Sequence, residues 1–223
     1  MEIKVLDHGY VKYIEHWGSD ARIIESARMS TSKGFQGWDT DAKLLTYLYN
    51  NQHLSPFESC GITIEVQAPI FVVREWQRHR TQSYNELSGR YTKMPDLFYI
   101  PSIDRLMAGK QNTKNMQGSE DGFNEAEALN LSHLIKESTK EASDKYKYLI
   151  AQGVSREIAR IVLPLNQYTK MRATANLRNW LQFLSLRLDE SAQWEIRVYA
   201  ESVALVIKEW FPRTYGLFEQ SKR

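Results

Sequence analysis

Three arginines, a histidine, a glutamate, two amides and several hydroxyls fall in one short run, Arg78-His79-Arg80-Thr81-Gln82-Ser83-Tyr84-Asn85-Glu86-Leu87-Ser88-Gly89-Arg90-Tyr91, with almost nothing apolar to bury. Guanidinium groups present planar forks of donors that match phosphate or carboxylate oxygens, and Gly89 lets a backbone approach a ligand closely. The run reads as an anion-binding loop suited to a nucleotide. Arg156 and Arg160 lie one turn apart and share a helical face away from the apolar stripe. Arg178 and Gln182 lie one helical turn apart and can face a single ligand.

The elements that must position these groups follow from periodicity. Residues 2–14 read as one or two strands around a His8-Gly9 turn. Asp20 is a candidate cap for a helix over 21–28, and Asp39 for one carrying Leu44, Leu45 and Leu48. Ser55-Pro56-Phe57-Glu58 has the form of a capping box with proline at the first helical position. Ile62, Ile64 and Val66 alternate as a half-buried strand, and Pro69 starts a helix running to about Arg80. Residues 104–122 are polar and rich in Gly and Asn, as in a variable loop. A long helix is expected through Glu125 to Ala151, ended by Gly153. Ser155 is set to cap the next, with Ile158, Ile161 and Val162 as its buried stripe. Leu165 to Thr174 reads as a strand. Two closing helices carry Leu177, Leu181, Leu184, Leu188 and Trp194, Val198, Leu205, with Pro212 ending the last regular turn. Several helices with few strands argue an α+β fold, not a doubly wound sheet.

Composition bounds the class. The 223 residues suffice for one core, and no shift divides them, so one domain over 1–223 is expected; 42% hydrophobic and 25% charged residues suit an ordinary globular protein. No run is long and apolar enough for a bilayer, and Met1 to Lys4 does not begin a signal peptide, so the expected location is cytoplasmic without membrane association. A formal net charge of +2 is too weak to argue nucleic-acid binding by itself. The single cysteine, Cys60, excludes an internal disulfide, and the five histidines show no ligand spacing, so no metal is expected.

The motifs are specific enough to resemble one family. Arg78-His79-Arg80 followed after seven residues by Ser88 is similar to the signature of the flavin-dependent thymidylate synthases. His53-Leu54-Ser55-Pro56-Phe57-Glu58, Asn85 to Tyr91, and Ala159 to Pro164 with Asn176, Arg178 and Leu186-Arg187 resemble its other blocks, together covering roughly residues 20 to 205. The resemblance implies a distinctive sheet with flanking helices, typically assembled as a homotetramer with active sites shared between subunits. It also implies conversion of dUMP to dTMP, with 5,10-methylenetetrahydrofolate giving the methylene group and FAD, reduced by NADPH, giving the hydride.

Carried over position by position, the resemblance places Glu75, Arg78, Glu86, Ser88, Gly89, Arg90, Arg160 and Arg187 at dUMP. FAD falls to Ser30, Ser55, Arg78, His79, Arg80, Glu86, Asn176, Arg178 and Gln182, and His53 and Tyr91 to the flavin and folate face. No Gly-x-Gly-x-x-Gly follows a strand, so a Rossmann site is not expected. Arg187 and Ser88 are the candidate catalytic residues. Arg187 would stabilise negative charge on the pyrimidine as C5 becomes nucleophilic. Ser88 is better explained by phosphate binding than as a nucleophile, and Cys60 as a small buried side chain, so activation without a protein nucleophile is expected.

Plainer roles compete. Arginines on helix ends make exposed ion pairs, Arg187 could snorkel from its helix, Ser55 could act as a cap alone, and a histidine such as His53 is commonly a hydrogen-bonded structural group. Arg187 lies nine residues beyond Arg178, half a turn out of phase, so one helix would feed two different active sites of an oligomer. Three positions depart from the family pattern: Glu75, often Gln, where a carboxylate would repel phosphate unless paired with Arg74 or Arg78; Gln182 for Asn; and Ser59 for a frequent His. Rival readings are a nucleic-acid-binding module stacking bases on Trp76, Tyr84 and Tyr91, and an inactive homologue spoiled at Glu75.

Overall fold

The computed structural model describes residues 1–113 and 118–222. A five-stranded sheet is built from β1 (Glu2–Val5), β2 (Gly9–Trp17), β3 (Gly61–Pro69), β4 (Ser83–Glu86) and β7 (Tyr168–Asn176) in the order β1-β2-β3-β7-β4, and every pairing is antiparallel. Helices α1 (Asp20–Arg28), α2 (Trp38–Asn50), α3 (Ile70–Trp76), α5 (Glu125–Ala151), α6 (Arg156–Ala159), α7 (Leu177–Arg187), α8 (Trp194–Trp210) and α9 (Pro212–Ser221) surround it. This is the α+β class expected, with a sheet that is antiparallel throughout.

The two long central strands fix the site. In the β3–β7 ladder Gly61 faces Asn176 and Pro69 faces Tyr168, so the helices that follow, α3 from Pro69 and α7 from Asn176, start at opposite ends of the pair. Their far ends meet over the core. Trp76 of α3 stacks on Phe183 of α7 with ring centroids 4.6 Å apart, and Trp180 and Tyr199 meet Trp76 edge-on. Buried indoles require partners for their N–H groups. Trp180 donates to the Ile62 carbonyl and Trp76 to Gln82 Oε1, each at 3.0 Å. β3 is consequently covered on both faces, with Gly61, Ile62, Thr63 and Ile64 all buried, more than half-buried alternation implies.

Several local expectations are corrected. Ser19, not Asp20, caps α1; the buried Asp20 carboxylate instead accepts from the backbone of Arg213 and Thr214, tying α9 to the core. Gly37, at φ 98°, precedes α2 where Asp39 was expected to cap. Ser55–Ser59 is a single 3-10 turn with Leu54 at its cap position and no side-chain cap bond, so Glu58 is released to pair with Arg178. α3 ends at Trp76, and the Arg-His-Arg segment runs through turns into β4, an edge strand. The 104–122 region contains α4 (Ile103–Met107) and a hairpin of β5 (Lys110–Gln111) with β6 (Ser119–Glu120); the 114–117 part of that expected loop lies outside the described residues. Ser155 holds the cap position of α6 without a side-chain bond, and Ile158 and Ile161 are exposed, not buried. Leu205 is exposed as well, and Pro212 opens α9 where it was expected to end the last turn. The long helix α5 begins at a full capping box between Asn124 and Glu127, and Gly153, at φ 79°, follows its end as expected.

Candidate active site

Three clefts collect the residues singled out by chemistry. The first, about 940 Å³, is walled by α7 through Arg178, Asn179, Gln182 and Ser185, with Thr81 and Leu54 opposite. Its polarity comes from how α7 begins. Asn176 ends β7 in extended conformation, and its side chain accepts from the Asn179 N–H at 2.9 Å, so Asn176 is a helix cap. Arg178 on the first turn is half-exposed and paired with Glu58. Asn179 Nδ2 donates to the Thr81 carbonyl at 3.1 Å, joining the helix to the turn beside Arg80.

The second cleft, about 470 Å³, is lined by Glu86, Leu87, Gly89, Met94, Glu157, Arg160 and Arg74 among others. Gly89 brings the Ser88–Tyr91 turn to its edge. Ser88 Oγ accepts from the Arg90 N–H at 3.3 Å, Arg90 Nε donates to Glu157 at 3.2 Å, and Arg156 donates to the Tyr91 carbonyl at 2.6 Å. Gly89 is closely approached by side chains: a Cβ there would stand 2.9 Å from Met94 Sδ and 3.2 Å from Arg160 Cδ, and those chains would have to shift. Glu86 accepts from Thr169 Oγ1 and Gln77 Nε2 and so is held at the end of β4.

The third cleft, about 840 Å³, holds Glu75, Arg78 and Arg187 together with Arg105, Trp194, Arg197 and Glu190. Here the ends of α3 and α7 meet. Arg187 Nε donates to His79 Nε2 at 2.9 Å, one terminal nitrogen donates to the Glu75 carbonyl at 3.1 Å, and the other lies 2.6 Å from the Glu75 carboxylate. The charge partner of Glu75 is therefore Arg187, not Arg74 or Arg78. His79 is buried edge-on against Phe183, and burial, helped by the neighbouring guanidinium, pushes its pKa down to about 4. A neutral ring accepting through Nε2 carries its proton on Nδ1. Tyr84 Oη donates to the carbonyls of Trp76 and His79, bracing the turn that presents this ring.

The expected dUMP residues thus divide between two clefts that share no lining residue: Glu86, Gly89 and Arg160, with Ser88 and Arg90 alongside, in one; Glu75, Arg78 and Arg187 in the other. Of the expected FAD residues, Arg178 and Gln182 are brought together, while His79 serves Arg187 and Asn176 serves α7. Arg80, Ser55 and Ser30 are exposed and line none of these three clefts. His53 is exposed beside Tyr47, and Tyr91 is exposed beneath the Arg90 guanidinium, 5.9 Å from its ring centroid. Cys60 is buried with its thiol against the Ser19 carbonyl, and burial raises its pKa, which disfavours the thiolate a nucleophile needs.

Some participants carried no sequence signal of their own. Glu58 was read as part of a cap and of the His53–Glu58 block, with no partner assigned, and Arg105, Arg197 and Trp194 reach the third cleft from elements distant in sequence. Trp76 is fully buried and Tyr84 is committed to backbone carbonyls, so two of the three rings required by a base-stacking surface are not available for it. Among the described residues no group of His, Cys, Asp and Glu side chains forms a metal site, and no helix is long and apolar enough to cross a membrane.

Residues 12–213 match the family model described as thymidylate synthase complementing protein. Relatives named flavin-dependent thymidylate synthase include one from Thermus thermophilus, 43% identical over 99% of this chain and 79% of the relative, and one from Pseudothermotoga lettingae, 40% identical over 98% and 93%. The corresponding protein of Ehrlichia ruminantium (strain Gardel) is 41% identical over 97% of this chain and 72% of its own length. The fold superposes with a TM-score of 0.88 on the UMP/dUMP methylase PolB from Streptomyces cacaoi bound with 5-Br dUMP, at 30% identity and covering 98% of this chain and 97% of that one. On sequence and fold together, the chain belongs to the family of the flavin-dependent thymidylate synthases.

Proposed function

We propose that this protein is a flavin-dependent thymidylate synthase that methylates dUMP to dTMP, taking the methylene group from 5,10-methylenetetrahydrofolate, in a homotetramer whose active sites are each completed by a second subunit. The observation that carries this reading is the division of the expected nucleotide contacts between two separate clefts of one chain. A second copy that supplies the other half would let one nucleotide meet both sets. The donor-rich turn of Ser88, Gly89 and Arg90 with Arg160 suits a phosphate, which has more acceptor sites than a single guanidinium fills. Arg187 suits the base, because its guanidinium is held in orientation by His79 and a backbone carbonyl and stays charged at any working pH.

The Arg178 cleft fits FAD by volume and by its donor set, a half-exposed guanidinium with the amides of Asn179 and Gln182 along one helix face. When bound and reduced by NADPH, FAD supplies the hydride. This chain's residues bind and orient: Arg178 and Gln182 hold the cofactor, Ser88 to Arg90 and Arg160 hold phosphate, and Arg187 disperses the negative charge that develops on the pyrimidine as C5 attacks the one-carbon donor. With Cys60 buried and its thiol disfavoured as thiolate, the ring is activated electrostatically. α7 points Arg178 and Arg187 into different clefts, which supports one helix feeding two active sites.

The test is direct. The purified protein should show flavin absorbance, and its reduced flavin should be reoxidised in a dUMP-dependent manner when methylenetetrahydrofolate is present, with dTMP formed. A colourless protein that takes up no FAD on addition would overturn the assignment.

A further inference from the structure

Resting on the assignment of Arg187 to the pyrimidine, we propose that Glu75 is an internal gate on the nucleotide site: a carboxylate of this chain that occupies the Arg187 guanidinium until substrate displaces it. The guanidinium has five N–H donors, and three are engaged, by His79 Nε2, the Glu75 carbonyl and the Glu75 carboxylate. The first two acceptors are a buried neutral ring and a main-chain carbonyl beside it. They set the orientation of Arg187 and cannot leave without refolding the turn. The third is the charged end of a rotatable side chain. It is part-exposed, whereas the Arg187 side chain is largely buried. Removing it would leave the guanidinium aimed but uncompensated, the state that favours an anionic ligand.

The cleft around the pair is rich in other guanidinium groups. The same cleft is lined by Arg78, Arg105 and Arg197. Arg105 is committed to Glu195 and Arg197 donates to the Glu190 carbonyl, while the Glu75 carboxylate is the one paired with Arg187. An incoming pyrimidine needs the same guanidinium that Glu75 holds, so the carboxylate must swing away from the base site before the ring can meet Arg187. Glu75 thereby lowers apparent affinity and selects ligands able to compete for Arg187, a specificity role distinct from catalysis.

Calorimetric titration of dUMP into the FAD-loaded protein tests the gate. Glu75→Gln and Glu75→Ala should each bind dUMP about two- to fivefold more tightly than wild type, the span given by a part-exposed ion pair. Glu75→Asp, which keeps the charge, should stay near wild type, and flavin absorbance should be equal in all four. Equal or weaker dUMP binding in the Gln and Ala variants, with wild type binding normally, would sink the gate alone. Tightening by Gln but not Ala would also overturn it, because a new amide contact would then be responsible. Absence of dUMP binding in wild type and every variant would remove the functional reading and the gate together.

Discussion

His79 shows how one side chain's titration links to both stability and substrate recognition. Its ring is buried against Phe183 and accepts from Arg187, so protonation would bury a charge and set it against a guanidinium. Both effects depress its pKa, from the usual value near 6.5 to about 4. The unfolded chain therefore binds the proton more readily, and the stability this provides is complete above pH 6.5 and is lost as pH falls toward 4. The loss amounts to on the order of 3 kcal/mol. Urea unfolding between about pH 4 and 7 should show this slope in the wild type and a clearly reduced slope in His79→Gln; identical slopes would refute it. The family resemblance assigned His79 to flavin. Within the chain its ring accepts from Arg187, 108 positions away.

Among the elements, α7 carries the largest functional share. It starts at a cap, exposes Arg178 on its first turn, buries Leu177, Trp180, Leu181, Phe183 and Leu184, and delivers Arg187 at its last. The apolar stripe and the half-turn offset between the arginines were both legible from spacing. The role of Asn176 was not, because a cap and a ligand amide have the same residue type. Asn176→Ala should cost about 1 kcal/mol in unfolding free energy, and Asn176→Ser should recover most of it. Equal stability of all three in urea would show that the cap contributes nothing. β4 escaped the sequence for a related reason: Ser83–Glu86 has a single apolar residue and is a strand because β7 offers it an unpaired edge. Pro212 was a matter of position, since the same residue that blocks a helix interior is preferred at its first turn, where α9 begins.

At the scale of the whole molecule, Ile158, Ile161 and Leu165 lie exposed next to the Arg160 cleft, and Tyr91 close by. Periodicity marked Ile158, Ile161 and Val162 as a face to be covered, which a single chain does not do for the first two. The shared-site assembly proposed above predicts intersubunit complementation. Arg160→Ala and Arg187→Ala should each abolish most dTMP formation, and subunits of the two mixed under exchange conditions should regain a measurable fraction, because some sites then draw both arginines from unmutated halves. Mixtures no more active than either parent, with exchange verified by mass, would refute shared sites.

What the sequence determined by itself was whatever depends on local periodicity and residue chemistry: the extent of α5, the helical stripe of α7, the central strands, the α+β class, and which arginines are suited to anions. Only the tertiary structure decided which distant residues meet. That Glu75 caps Arg187, that His79 orients it, and that the nucleotide contacts separate into two clefts all follow from α3 and α7 leaving opposite ends of the β3–β7 ladder and converging over Trp76 and Phe183. Spacing along a chain reports the faces of one element; contacts between elements are set by how their buried faces pack, and a linear pattern does not encode that pairing.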